Sequence, residues 1–142
     1  MTTYRISTDP SETDFDAVYG FISRSYWAAG IPADTLRRGL EHSLNFCVLA
    51  DSGELVGFAR VITDQATFAY LCDVFVLEDH RGQGLSKQLM AAIMADPRLQ
   101  GLRRFMLATA DAHTLYEQFG FSAPAKPQNL MEICIPDIYQ RR

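Results

Sequence analysis

The spacing of apolar and polar positions changes several times along the chain, and each change marks an element. Tyr4 to Ser7 alternates as a strand would, and Asp9-Pro10-Ser11 breaks it. Thr13 or Asp14 caps a helix in which Phe15, Val18, Ile22 and Tyr26 share one face. Gly30-Ile31-Pro32 ends that helix. Asp34 caps a second one, whose Leu36, Leu40 and Leu44 recur once per turn. Phe46 to Ala50 predicts a strand, Asp51-Ser52-Gly53-Glu54 a hairpin turn, and Leu55 to Ile62 the return strand. Thr63-Asp64-Gln65-Ala66 turns the chain again into a long strand over 67–77. Strict alternation puts Tyr70, Cys72, Val74 and Val76 on one side of it and Leu71, Asp73 and Phe75 on the other.

The period then becomes helical. Leu85, Leu89 and Ile93 predict a helix from Gly84 to Asp96-Pro97. Arg104 to Ala108 predicts a short strand. Asp111 caps a helix carrying Leu115 and Phe119, closed by Gly120 in a left-handed conformation. A Pro-containing loop over 122–129 leads to a final strand, Leu130 to Ile135. Hairpins and crossovers in one chain imply an α/β (α+β) fold, with a mixed, mostly antiparallel sheet flanked by helices.

The length of 142 residues, without repeats or composition breaks, predicts one domain over 1–142. Lys and Arg number 13 against 17 Asp and Glu, a net charge of −4, which argues against nucleic acid or an anionic membrane as partner. The longest apolar run, Leu89 to Ala95, has seven residues, far short of the roughly 20 that span a bilayer. The start of the chain shows no apolar leader. Cys47, Cys72 and Cys134 form neither a disulfide framework nor a metal-binding spacing. Together these predict a cytoplasmic protein with no metal.

The stretch Val74 to Lys87 is the most informative. It runs from strand through a basic glycine loop, Arg81-Gly82-Gln83-Gly84, into a helix start at Leu85-Ser86-Lys87. Unpaired N–H groups and the positive end of the helix dipole favour an anion there, and glycines allow close approach. A Walker A loop is absent, and antiparallel strands precede the loop, unlike a dinucleotide-binding unit.

Arg81-Gly82-Gln83-Gly84-Leu85-Ser86 resembles the R/Q-x-x-G-x-G/A loop of the GNAT superfamily of acyl-CoA-dependent N-acetyltransferases. Val76 to Gly82 resembles the V-x-P-E-x-R-G stretch that precedes this loop, and Leu115-Tyr116-Glu117-Gln118-Phe119-Gly120-Phe121 resembles the L-Y-E-x-x-G-F signature. The order of elements is also similar. The chain departs from the family pattern at Glu78-Asp79, at Ser86, and at Thr109, where an Asn is common.

The resemblance implies acetyl-CoA as acyl donor. Its pyrophosphate would lie on the N–H groups of Gly82, Gln83, Gly84, Leu85, Ser86 and Lys87, with Arg81 beside it. Its pantetheine arm would run along Phe75 and Val76. The chemistry is attack of a neutral amine on the thioester, which calls for an acid to protonate the leaving thiolate and a route for the amine proton. The resemblance makes Tyr116 the acid. Asp73 is the one charge in the apolar run from Ala69 to Leu77. It resembles the Asp of the Glu-Asp pair in polyamine and aminosugar-phosphate N-acetyltransferases, with Cys72 in place of the Glu. It would position the amine or accept its proton, or else be a structural carboxylate satisfied by an Arg or by backbone N–H groups. Acceptor binding in the family uses the first two helices, where Tyr26, Trp27 and Glu41 are candidates. His80 is expected to be an exposed loop residue, and His113 to lie in the first turn of the Tyr116 helix.

The expected function is transfer of an acetyl group from acetyl-CoA to a primary amine of a small molecule. A non-catalytic acyl-CoA-binding module and a protein acetyltransferase stand as alternatives. A homodimer could form through the final strand or the long hairpin.

Overall fold

The computed structural model describes residues 2–141. Nine regular elements build the fold: β1 (Tyr4–Ser7), α1 (Phe15–Ile22), α2 (Ala33–Glu41), β2 (Leu44–Ala50), β3 (Leu55–Thr63), β4 (Phe68–Val76), α3 (Leu85–Ala95), β5 (Arg104–Leu107) and α4 (His113–Glu117). The strands form one sheet in the order β1-β2-β3-β4-β5. The first four pair antiparallel, and β5 lies parallel to β4 because α3 carries the chain back across the sheet. The expected mixed sheet with flanking helices is present.

Both faces of the sheet are covered. One apolar cluster joins Val48, Val56, Val61 and Leu71 to Leu89, Met90 and Ile93 of α3. The other joins Cys47, Phe58 and Phe75 to Val18 and Ile22 of α1 and Leu36 and Leu40 of α2. Each fully buried Leu or Ile contributes about 1.5–3 kcal/mol relative to exposure.

Strict alternation fails in β4. The β3 ladder pairs Arg60 with Cys72 and Phe58 with Phe75, so the single residue Ala59 faces both Asp73 and Val74. Asp73 is the extra residue and takes φ +55°. Leu71 and Val76 therefore share the α3 side, while Phe75 turns to α1 and α2. The expected grouping of Leu71, Asp73 and Phe75 on one side is corrected by this bulge.

Several boundaries also shift, and Leu44 opens β2 rather than continuing α2. Helix α1 ends at Ile22, because Ser25 Oγ donates to the Ile22 carbonyl (2.7 Å) and tightens the chain into turns. Tyr26 thus leaves the core face and is 74% exposed. Asp14 caps α1, but Pro32 and not Asp34 occupies the α2 cap. Ala112 replaces Asp111 at the head of α4, with Thr109 Oγ1 accepting the Ala112 N–H (3.0 Å).

The largest departure is at the end. Leu130 to Ile135 belongs to no strand among the described residues, because none of its N–H groups from Met131 on finds a ladder partner, and β5 stays at the margin of the sheet.

Candidate functional site

Two features of the β4-to-α3 connection form an anion cradle. After β4 a single turn over Glu78–His80 leads to Arg81, and Gly82 and Gly84 then take φ +78° and +75°. Side chains rarely adopt that conformation, so glycine is what permits so tight an entry to α3. A Cβ added at either glycine would meet no protein atom within 4 Å, so it would project into open space. That space is a concavity of about 220 Å³ lined by Val76, Arg81, Gly82, Gly84, Ser86 and Lys87.

The backbone donors of this loop are free. Arg81 N–H donates to the Glu78 carbonyl, and the next donation comes from Gln88 to Gly84 (3.0 Å). Among the described residues, none of the N–H groups from Gly82 to Lys87 finds an acceptor. With the α3 dipole behind them, they present partial positive charge to the concavity. The loop is anchored from outside: Tyr4 OH lies 2.9 Å from His80 Nδ1 and donates to Gln83 Oε1 (3.2 Å). His80 is therefore half-buried against Tyr4 rather than the exposed residue expected. Arg81 Nε donates to the Val76 carbonyl (2.9 Å), which ties the loop to the strand end.

Beside the cradle, β4 and β5 part. Their ladder runs from Phe68–Arg104 to Leu71–Leu107 and stops. From Cys72 to Val76 this edge of β4 has no strand partner. The Asp73 bulge sits at the mouth of the gap. Trp27 Nε1 donates to Asp73 Oδ1 (2.7 Å), and Arg60 Nε donates to Asp73 Oδ2 (2.8 Å). Arg60 also donates to Ser43 Oγ (3.1 Å), which donates to the Gly39 carbonyl (2.7 Å). Gly39 leaves room for the guanidinium, since a Cβ there would lie 3.2 Å from it. Phe21 stacks on Phe75 at 4.1 Å, and Tyr26 meets Trp27 edge-on at 5.1 Å. Burial pushes the Cys72 thiol up to about 12, so it stays neutral at pH 7.

Tyr116 completes the group. It is buried, and its hydroxyl makes no hydrogen bond among the described residues. Burial raises its pKa, with Asp111 and Tyr26 adding to the shift. The phenol thus holds its proton at pH 7, and Tyr26 comes close enough to influence it.

The sequence profile of the Acetyltransferase (GNAT) family matches residues 11–121. The chain belongs to the GNAT acetyltransferase family. It is 51% identical to a crystallised candidate acetyltransferase of the GNAT family from Xanthomonas campestris pv. campestris, over 98% of both chains, with a TM-score of 0.95. It is 33% identical over 135 residues to a candidate acetyltransferase of Gibberella zeae, covering 80% of this chain and 75% of that protein. Glucosamine-6-phosphate N-acetyltransferase from Arabidopsis thaliana shares the fold, with a TM-score of 0.68 at 14% identity over 94% and 97% of the two chains. The protein is therefore an acyltransferase.

The structure brings Tyr26, Trp27 and Asp73 together next to Cys72, while the glycine loop follows the far end of β4. Glu41 stays apart, exposed at the end of α2 with no ion pair among the described residues. Arg60 was missed as a site residue. Its signal was present: it is the one charge between Leu55 and Ile62, as Asp73 is in the next strand, and two lone charges on paired strands suggest each other. No cluster of three or more His, Cys, Asp or Glu residues placed to hold a metal ion occurs among the described residues. No helix there is long and apolar enough to cross a membrane.

Proposed function

We propose that this GNAT protein transfers an acetyl group from acetyl-CoA to the primary amine of a small molecule, by direct attack within a ternary complex. The observation that carries this is the run of free N–H groups from Gly82 to Lys87 around a concavity that Gly82 and Gly84 line. Such a run suits a pyrophosphate, and Arg81 and Lys87 add positive charge beside it. The free edge of β4 at Phe75 and Val76 suits an extended amide-bearing arm.

Acetyl-CoA supplies a thioester carbonyl for the amine to attack and a thiolate that must be protonated on leaving. Tyr116 holds its proton on a partly desolvated hydroxyl that no group among the described residues engages, which fits it to be the acid. Asp73 is a positioning residue here. Its two oxygens are held by Trp27 and Arg60, so it fixes the indole that walls the acceptor side with Tyr26. The net charge of −4 suits approach of a cationic amine. A cytoplasmic setting fits three free thiols, Cys47, Cys72 and Cys134.

Thermal unfolding with acetyl-CoA tests the donor assignment: ligand at about a hundred times Kd adds about 2.7 kcal/mol and raises Tm. An unchanged Tm at millimolar acetyl-CoA would contradict it.

A further inference from the structure

One titratable side chain stands on the wall of the anion cradle and takes its ring contacts from two distant parts of the chain. His80 closes the short turn after β4, where its N–H donates to the Leu77 carbonyl (2.9 Å). Its side chain lines the concavity together with Arg81, Gly82 and Lys87. Tyr4 of the edge strand β1 meets the imidazole edge-on, with ring centres 5.7 Å apart. Nδ1 lies 2.9 Å from the Tyr4 hydroxyl. Nε2 lies 3.9 Å from Oε1 of Glu54, in the turn between β2 and β3, which is ion-pair distance for a charged ring.

These contacts fix where the ring protons go. The Tyr4 hydroxyl has one hydrogen and donates it to Gln83 Oε1 (3.2 Å), so its oxygen accepts from His80 Nδ1. A neutral ring on that tautomer turns a bare nitrogen, Nε2, toward the Glu54 carboxylate. A protonated ring has an acceptor for each N–H, the phenol oxygen on one side and the carboxylate on the other. The other charged groups near it are Glu78 and Asp79 of its own turn, Arg81 just after the turn, and Lys87 of α3. Arg81 already commits its Nε to the Val76 carbonyl. A charged His80 would offset Glu54, whose carboxylate otherwise opposes an incoming anion.

We infer, resting on the acetyl-CoA reading above, that His80 is a third cationic group of the donor site, an imidazolium that Tyr4 and Glu54 hold against the cradle to attract the donor's phosphates. Tyr4 is then a positioning residue. The same hydroxyl fixes the ring and holds Gln83, so β1 sets both a charge and the backbone of the glycine loop. Arg81 and Lys87 are charged at every working pH, whereas the charge of a histidine changes between about pH 5 and 8. Donor affinity therefore rises as the ring takes up its proton. Linkage makes the effect reciprocal: the bound donor favours the proton on His80 by the same factor that the proton favours the donor.

Calorimetric titration with acetyl-CoA at about pH 5.5 and about pH 8 tests this, in the unaltered chain and in His80→Gln. Titration of the ligand's own phosphate is common to both proteins and cancels in the comparison. On acidification the unaltered chain is expected to gain at least about threefold more affinity than His80→Gln. Glu54→Gln alters an exposed side chain and Tyr4→Phe keeps the packed ring, and each is expected to reduce that gain. Proton NMR of the imidazole signals reads the reciprocal effect, with the His80 signal assigned by its loss in His80→Gln. Saturating acetyl-CoA should raise the His80 titration midpoint by about 0.5 in pH, which is the same threefold factor. A difference below threefold, or a midpoint that acetyl-CoA leaves in place or lowers, overturns the inference while the donor site stands. A gain that survives both Glu54→Gln and Tyr4→Phe overturns the part given to those two residues. Failure of acetyl-CoA to bind the unaltered chain at either pH overturns the donor site and the role of His80 together.

Discussion

Trp27 Nε1 and Arg60 Nε hold opposite oxygens of the Asp73 carboxylate, at 2.7 and 2.8 Å. The bulge makes this possible. With φ at +55°, Asp73 leaves the alternation of β4 and turns to the α1 and α2 face, where both donors lie. One buried carboxylate thus ties the loop after α1 to β3 and β4.

Asp73→Asn tests that relationship with little change in shape, because Asn tolerates positive φ and keeps an acceptor for Trp27. Arg60 is left charged and largely buried, with its side chain 18% exposed. The expected loss is about 3 kcal/mol, at the lower end for breaking a buried pair. Urea unfolding measures it. Arg60→Met combined with Asp73→Asn is expected to recover part of the loss, since the orphaned charge is then gone.

Gly84→Ala separates loop geometry from binding. A side chain at φ +75° costs about 1–2 kcal/mol, and its methyl group enters the cradle. Stability should fall by that amount, while acetyl-CoA affinity should fall tenfold or more by calorimetry. Unchanged affinity would remove this loop from donor binding.

Tyr116→Phe keeps the packed ring and removes the acidic hydroxyl. General acid catalysis is worth about 10²–10⁴ in rate, so kcat should fall about a hundredfold while KM for acetyl-CoA changes little. In the unaltered protein, the raised pKa of Tyr116 predicts no loss of kcat from its ionisation up to about pH 10.

Stability should fall on the alkaline side. Burial raises the pKa of Cys47, Cys72, Tyr70 and Tyr116. Each binds its proton more tightly folded than unfolded, so stability is whole below the ordinary thiol value of 9.0 and is lost as pH rises toward about 12, where Cys72 titrates in the folded chain. The slope is at most about 1.4 kcal/mol per pH unit for each group. Urea midpoints at pH 8 and pH 10.5 measure the fall.

Cys72 stays a neutral thiol at working pH, which argues against an acyl-cysteine route. Cys72→Ala should keep kcat within about threefold, and initial velocities should intersect rather than run parallel, parallel lines being the mark of ping-pong chemistry.

Strands β2 to β4 are legible in the sequence as apolar runs bounded by turn residues, and helix α3 as a helical apolar period. The glycine loop was legible because its backbone conformation demands glycine. The bulge at Asp73 was not, since it reflects what the carboxylate meets across space and leaves no mark on local alternation. Arg60 does leave a signal, as the lone charge of its strand, but its pairing with Asp73 follows only once β3 and β4 are in register. Helix α1 is shorter than its apolar spacing predicts, because the Ser25 side chain, which ends it, looks locally like any polar residue. Leu130 to Ile135 has the composition of a strand, but composition names no partner, and no ladder forms there among the described residues.

Thiol release from acetyl-CoA across a panel of small primary amines, with products identified by mass, decides whether this protein acetylates a small amine. Amine-dependent release of free CoA is expected, with an N-acetylated product, slowed about a hundredfold in Tyr116→Phe. Acetyl-CoA binding with no release above the buffer rate for any amine would contradict it.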